Sequence, residues 1–98
     1  MLDFQIATLN PIEVKVCLLS QSVWYQLLRE SVEINGYSIE AGYDEDDKTK
    51  CFYINTSYDI KHGILNKINM GDYLVIGVDG KVHTCDYETF HKTYQIKE

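Results

Sequence analysis

The sequence predicts an α+β fold: a small single domain, 1–98, built on a mainly antiparallel sheet. One longer helix is expected near the N-terminus and one short helix near the C-terminus. Three observations carry this. Several runs alternate apolar and polar residues with period two, and one run has helical spacing. The runs also do not alternate strand, helix, strand, as a parallel sheet would require. A chain of 98 residues leaves no room for a second domain of ordinary size, roughly 100 residues.

Ile12–Leu18 opens the prediction. Val14, Val16 and Leu18 fall on one face and Glu13, Lys15 and Cys17 on the other, as in a half-buried strand. Pro11 stands just before it, where a missing N–H does least harm. Ser20 or Ser22 then offers a hydroxyl to cap a helix. Trp24, Leu27, Leu28 and Ser31 follow at i, i+3, i+4 and i+7, which is one helical face. Asn35 and Gly36 tolerate a left-handed backbone and are expected to end that helix.

Tyr37–Tyr43 and Lys50–Thr56 read as two strands of a hairpin whose tip is the polar stretch 44–49. In 57–69, Ile60, Ile64 and Ile68 are spaced for a helix, but Gly63 interrupts them, so a strand or irregular path is preferred. Met70, Gly71 and Asp72 form a turn. Residues 73–78 are rich in β-branched and aromatic side chains, the strongest strand signal in the chain. Asp79-Gly80 is the pair favoured by a type I′ hairpin turn, and 81–85 returns. Asp86 caps a short helix with Phe90 turned inward, and Tyr94 with Ile96 closes the chain as a last strand.

Charge narrows the function. Nine Lys and Arg stand against 15 Asp and Glu, a net charge of −6. Gripping a phosphate backbone depends on Lys and Arg, so direct nucleic-acid binding is not expected. No window approaches the roughly 20 apolar residues of a membrane span. The first residues carry Asp3 and Gln5 where a secretory leader has basic residues, and the expected location is the cytoplasm. Three cysteines, 17, 51 and 85, with no CxxC, suit reduced thiols there.

The residue spacings offer little catalytic or metal chemistry. His62, His83, His91 and Cys85 contain only one tight pair, where structural zinc sites have two, so no metal is assigned. A calcium loop counted from Asp44 needs Gly and Glu where Thr49 and Asn55 stand. His83 and Cys85 have no third group to orient them as base and nucleophile. No cofactor motif is present, no catalytic residue is assigned, and binding is preferred to catalysis. Two features suit binding. Asp44, Glu45, Asp46 and Asp47 are the densest charge in the chain, and Tyr43 precedes them. Eight tyrosines, with Trp24 and three Phe, suit interfaces.

The stretch Gly71-Asp-Tyr-Leu-Val-Ile-Gly-Val-Asp-Gly-Lys-Val-His-Thr-Cys-Asp-Tyr-Glu-Thr-Phe-His-Lys-Thr-Tyr94 is similar to the C-terminal signature of a widespread family of small bacteriophage proteins. That signature runs Gly-Asp-(Tyr/Trp)-Ile-Ile-x-Gly-Val-x-Gly-Glu-x-Tyr-x-Cys-x4-Phe-x2-Thr-Tyr. Gly71, Asp72, Tyr73, Gly77, Val78, Gly80, Cys85, Phe90, Thr93 and Tyr94 match in register. Lys81 and His83 depart from it, standing where the family has Glu and Tyr. The strand at 11–18 and the helix after it are similar to the start of the same proteins.

The resemblance implies a phage accessory protein in a bacterial host's cytoplasm, acting by binding. Many such proteins block host defences. Three readings follow. The preferred one is a counter-defence inhibitor, anti-CRISPR-like, that binds the basic surface of a host defence protein through Tyr43, Asp44, Glu45, Asp46 and Asp47. The alternative is a sponge that sequesters a small nucleotide signal, with Tyr73 stacking and Lys81, His83 and Arg29 supplying polar contacts, between protomers of a homo-oligomer. The third is a small nucleotide hydrolase.

Overall fold

The computed structural model describes residues 2–9 and 12–96, and Pro11 lies outside them. The fold is α+β with antiparallel sheets. In chain order the elements are β1 (Gln5–Leu9), β2 (Ile12–Leu18), α1 (Gln21–Arg29), β3 (Val32–Ile34), β4 (Tyr37–Tyr43), β5 (Lys50–Thr56), α2 (Ser57–Lys61), β6 (Lys67–Asn69), β7 (Tyr73–Ile76), β8 (Val82–Cys85), α3 (Tyr87–Thr93) and β9 (Gln95–Ile96). They fall into two compact units. One is Ser20–Met70; the other combines Leu2–Leu19 with the chain from Gly71 onward.

The first unit holds the sheet β3-β4-β5-β6. Its longest pairing is the β4–β5 hairpin, from Tyr37 opposite Thr56 to Tyr43 opposite Lys50. This is the hairpin the alternation predicts, with the same ends. Helix α1 starts at Ser20, whose hydroxyl accepts from the Val23 N–H. It buries Trp24 and Leu27, but Leu28, expected on the same face, is exposed. The Trp24 indole N–H is shared between the Gly42 and Cys51 carbonyls, at 3.1 and 3.0 Å. A buried donor with two acceptors fixes where the helix sits on the hairpin.

The helix ends earlier than predicted. Its C-cap is Glu30, already extended, and Ser31 lies beyond it. Asn35 and Gly36, at φ 50° and 85°, instead make the two-residue turn between β3 and β4, with Ile34 opposite Tyr37. Asn-Gly tolerates a helix end and a type I′ turn equally. The alternating Val32-Glu33-Ile34 before it favours the turn.

The stretch 57–69 follows the expected irregular path and strand in its later part but opens with a helix. Ser57–Lys61 is a short helix closed by a capping box: Thr56 Oγ1 accepts from the Asp59 N–H while Asp59 accepts from the Thr56 N–H. Two satisfied donors offset poor helical length. Gly63, at φ 69°, follows the C-cap His62. The strand is confined to Lys67–Asn69, with Ile68 buried opposite Phe52.

The second unit is the sheet β8-β7-β2-β1-β9. Strand β1, which the sequence reading omits, pairs with β2 along its whole length and with β9 through Ala7 and Ile96. One face gathers Ala7, Val14, Val16, Tyr73 and Val75, with Phe90 of α3 packed on them. Phe90 is fully buried and stacks on Tyr73 at 3.8 Å between ring centroids and on Tyr94 at 5.1 Å. Asp86 caps α3 as predicted, accepting from the Thr89 N–H at 2.8 Å.

The β7–β8 connection differs from the type I′ turn expected. Of its residues only Gly80, at φ 80°, is left-handed, and Asp79 is not. The Gly80 N–H bonds the Gly77 carbonyl and the Gly77 N–H bonds the Lys81 carbonyl. That is a wider loop, a right-handed turn followed by a left-handed glycine. Asp79 Oδ1 accepts from the Lys81 N–H, which favours this geometry over two successive positive φ values.

Candidate functional site

The far end of the β4–β5 hairpin concentrates what the sequence marks for binding. The chain turns there because the Asp44 N–H bonds the Thr49 carbonyl and the Lys48 N–H bonds the Asp44 carbonyl, with Lys48 left-handed at φ 60°. Asp44 organises the tip. Its Oδ1 accepts from the amides of Asp46 at 2.8 Å and Asp47 at 3.3 Å, and its Oδ2 pairs with the Lys67 ammonium on β6. The Lys67 bond, then the two amides, hold the Asp44 carboxyl down to about 2. Asp47 turns back as well, accepting from the Thr49 hydroxyl and amide, and those bonds hold it below the usual carboxylate range.

The five predicted interaction residues therefore divide. Asp44 is buried and engaged within the unit. Asp47 is exposed, but its Oδ1 is occupied by Thr49. Glu45, Asp46 and Tyr43 are exposed on a tip that these bonds hold in shape.

Beside the tip lies an aromatic group, Trp24 and Tyr25 with Tyr43, whose first two members the sequence counts among its interface-suited rings without assigning them to this site. Tyr43 packs edge-on against Trp24, 5.2 Å between centroids at 72°, and Tyr25 does so at 5.2 Å and 90°. Lys50, the cross-strand partner of Tyr43, places its ammonium 5.3 Å from the Trp24 ring centroid and 4.9 Å from that of Tyr25. It donates to the Tyr25 hydroxyl at 3.0 Å, which lowers the phenol's pKa and raises the lysine's. Tyr25 is 42% exposed and Tyr43 54% exposed. One signal for Lys50 is in the sequence. A hairpin with tip 44–49 puts residues 43 and 50 opposite each other. That Trp24 and Tyr25 meet them is a tertiary fact.

The residues of the alternative reading are placed as follows. Arg29 is exposed at the end of α1 in the first unit. Tyr73, Lys81 and His83 belong to the second. Tyr73 is 4% exposed, one ring face is taken by Phe90, and its hydroxyl lies 3.2 Å from His91 Nε2. Burial raises its pKa. Lys81 is exposed in the β7–β8 loop, and His83 is exposed on β8 opposite Val75. Cys85 lies opposite Tyr73, and burial pushes its thiol up, as it pushes Cys17 to about 11. A thiol shifted that way is protonated at neutral pH and is a poor nucleophile. All three cysteines are free.

Among the described residues, no three His, Cys, Asp or Glu side chains converge to hold a metal ion. None of the described helices is long and apolar enough to cross a membrane. No protein-family model, curated protein or solved structure matches this chain.

Proposed function

We propose that this chain is a phage accessory protein that acts by binding, and that it blocks a host defence protein through the hairpin end of its first unit. The carrying observation is a fixed tip that leaves Tyr43, Glu45 and Asp46 exposed while Asp44 and Asp47 hold its shape. A preorganised surface loses little entropy on association, which favours affinity. Exposed aromatic rings beside carboxylates suit a basic protein partner, and the chain's −6 charge steers such a partner in. The phage setting rests on the resemblance of 71–94.

The test is a plaque assay in bacteria carrying a defence system that restricts phage. Expression of the chain restores plaques. The triple variant Tyr43→Ala, Glu45→Lys, Asp46→Lys does not, although it unfolds cooperatively only a few degrees below the parent and is folded at the assay temperature. A triple variant as active as the parent would overturn the assignment to this surface. Native mass spectrometry showing a bound small molecule instead of a bound protein would overturn the mode of action.

A further inference from the structure

We infer that the ring cluster at the hairpin end is a seat for an arginine side chain of the partner protein, and that Lys50 fills it in the free protein as an internal stand-in. The inference rests on the binding reading above and names the chemistry the surface recognises.

Three rings meet at this point, and a cation already lies among them. Trp24, itself buried, meets the exposed Tyr25 and Tyr43 rings edge-to-face, each 5.2 Å away between centroids. The Lys50 ammonium lies 5.3 Å from the Trp24 ring centroid, within the roughly 6 Å at which a ring attracts a cation, and it bonds the Tyr25 hydroxyl at the ring's edge. The Lys50 side chain is half-buried, and its ammonium bonds the Tyr25 phenol at the end of a flexible four-carbon stem.

Arginine suits the seat better than lysine does. The guanidinium is flat, stacks on ring faces and is more weakly hydrated than an ammonium. It also presents a fork of N–H donors for a carboxylate, and the exposed Glu45 and Asp46 stand two and three residues after Tyr43 in the chain. A quaternary ammonium can enter the rings but has no N–H to donate to those acids.

The sign of the Lys50 effect separates this from other roles. An incoming arginine must displace a like charge. Lys50→Met removes that charge and keeps the apolar stem, so arginine binding tightens. If Lys50 itself met an acidic group on the partner, or only propped the rings, removing it would weaken binding or leave it unchanged.

The experiment titrates the protein at low ionic strength with the peptide acetyl-Gly-Arg-Gly-amide, following the Trp24 indole N–H by two-dimensional NMR. The lysine peptide and its trimethylated form are run beside it. Arginine is expected to give a saturable shift that spreads to the Tyr25 and Tyr43 rings, and lysine a weaker one. Lys50→Met should tighten arginine binding by about threefold, the scale of one exposed cation–ring contact. Lys50→Arg, which refills the seat more strongly, should not tighten it. No saturable shift, stronger binding of the trimethylated peptide, or an affinity not raised by Lys50→Met would overturn the inference. The plaque assay keeps the two readings apart. If the peptide fails while the Tyr43, Glu45, Asp46 variant still loses activity, the arginine seat falls and the protein-binding role stands. If both fail, both fall.

Discussion

The two units treat their aromatic residues in opposite ways. In the second, Tyr73, Phe90 and Tyr94 stack face to face, and the rings of Tyr73 and Phe90 are closed off from water. In the first, only the Trp24 and Phe52 rings are fully buried, while Tyr25, Tyr43 and Tyr58 stand open. The stretch 71–94 lies in the unit whose core is built on stacked rings, although its Tyr87 is exposed. The hairpin 37–56 presents rings and charge.

The largest effect should come from the second unit. Phe90→Ala removes a fully buried ring stacked on two others and should cost about 3–5 kcal/mol in urea unfolding. Tyr43→Ala, the matching truncation of an exposed ring, gives up one edge-to-face contact and should cost about 1 kcal/mol or less. Equal costs for the two would erase the contrast between core rings and presented rings.

A second contrast concerns polar groups. The first unit ties α2 and the segment after it to β5 through side-chain hydrogen bonds. Buried Asn55 accepts from both the backbone and the side-chain amide of Asn66, at 3.0 and 3.2 Å, and Asp59 accepts from the same side chain. Asn55→Ala leaves the Asn66 N–H without that acceptor, so a loss of about 1–3 kcal/mol is expected. Amide exchange should then quicken through 57–66 before it does elsewhere. Uniform quickening over the whole chain would show that this stitching is not local.

How much of this could be read beforehand follows from the range of each interaction. The strands at 12–18, 37–43 and 50–56 and the Asp86 cap rest on local patterns, and the sequence displays them. Asn35-Gly36 fits two local rules, and the path of the neighbouring strand decides between them. The acidic tip is visible as composition. Which acids it leaves free is not, because Asp44 is claimed by a lysine 23 residues away. Tyr73 looks available for stacking until α3 folds back and Phe90 covers it. Trp24 and Tyr25 read as one helix turn, and only packing against the hairpin sets them around Lys50.

The last prediction tests whether the tip is fixed by the Asp44–Lys67 pair. The Asp44 carboxyl is held at about 2, below its ordinary 3.8. A depressed carboxyl contributes stability that is full above its unfolded value and is lost as pH falls through the folded one. The unfolding midpoint of the parent should therefore exceed that of Asp44→Asn at pH 6, and the gap should close between about pH 4 and 2. Lys67 is 43% exposed, so added salt should shrink the gap at pH 6 as well. The amide signals of Asp46 and Asp47, which Asp44 accepts, should follow the same acid titration, whereas Leu74 and Val75 on β7 should not. If the β7 signals moved in step with the tip, the acid-sensitive element would not be local to the hairpin. If the tip amides did not move at all, Glu45 and Asp46 would owe their placement to the backbone turn alone. The binding surface would then persist at low pH.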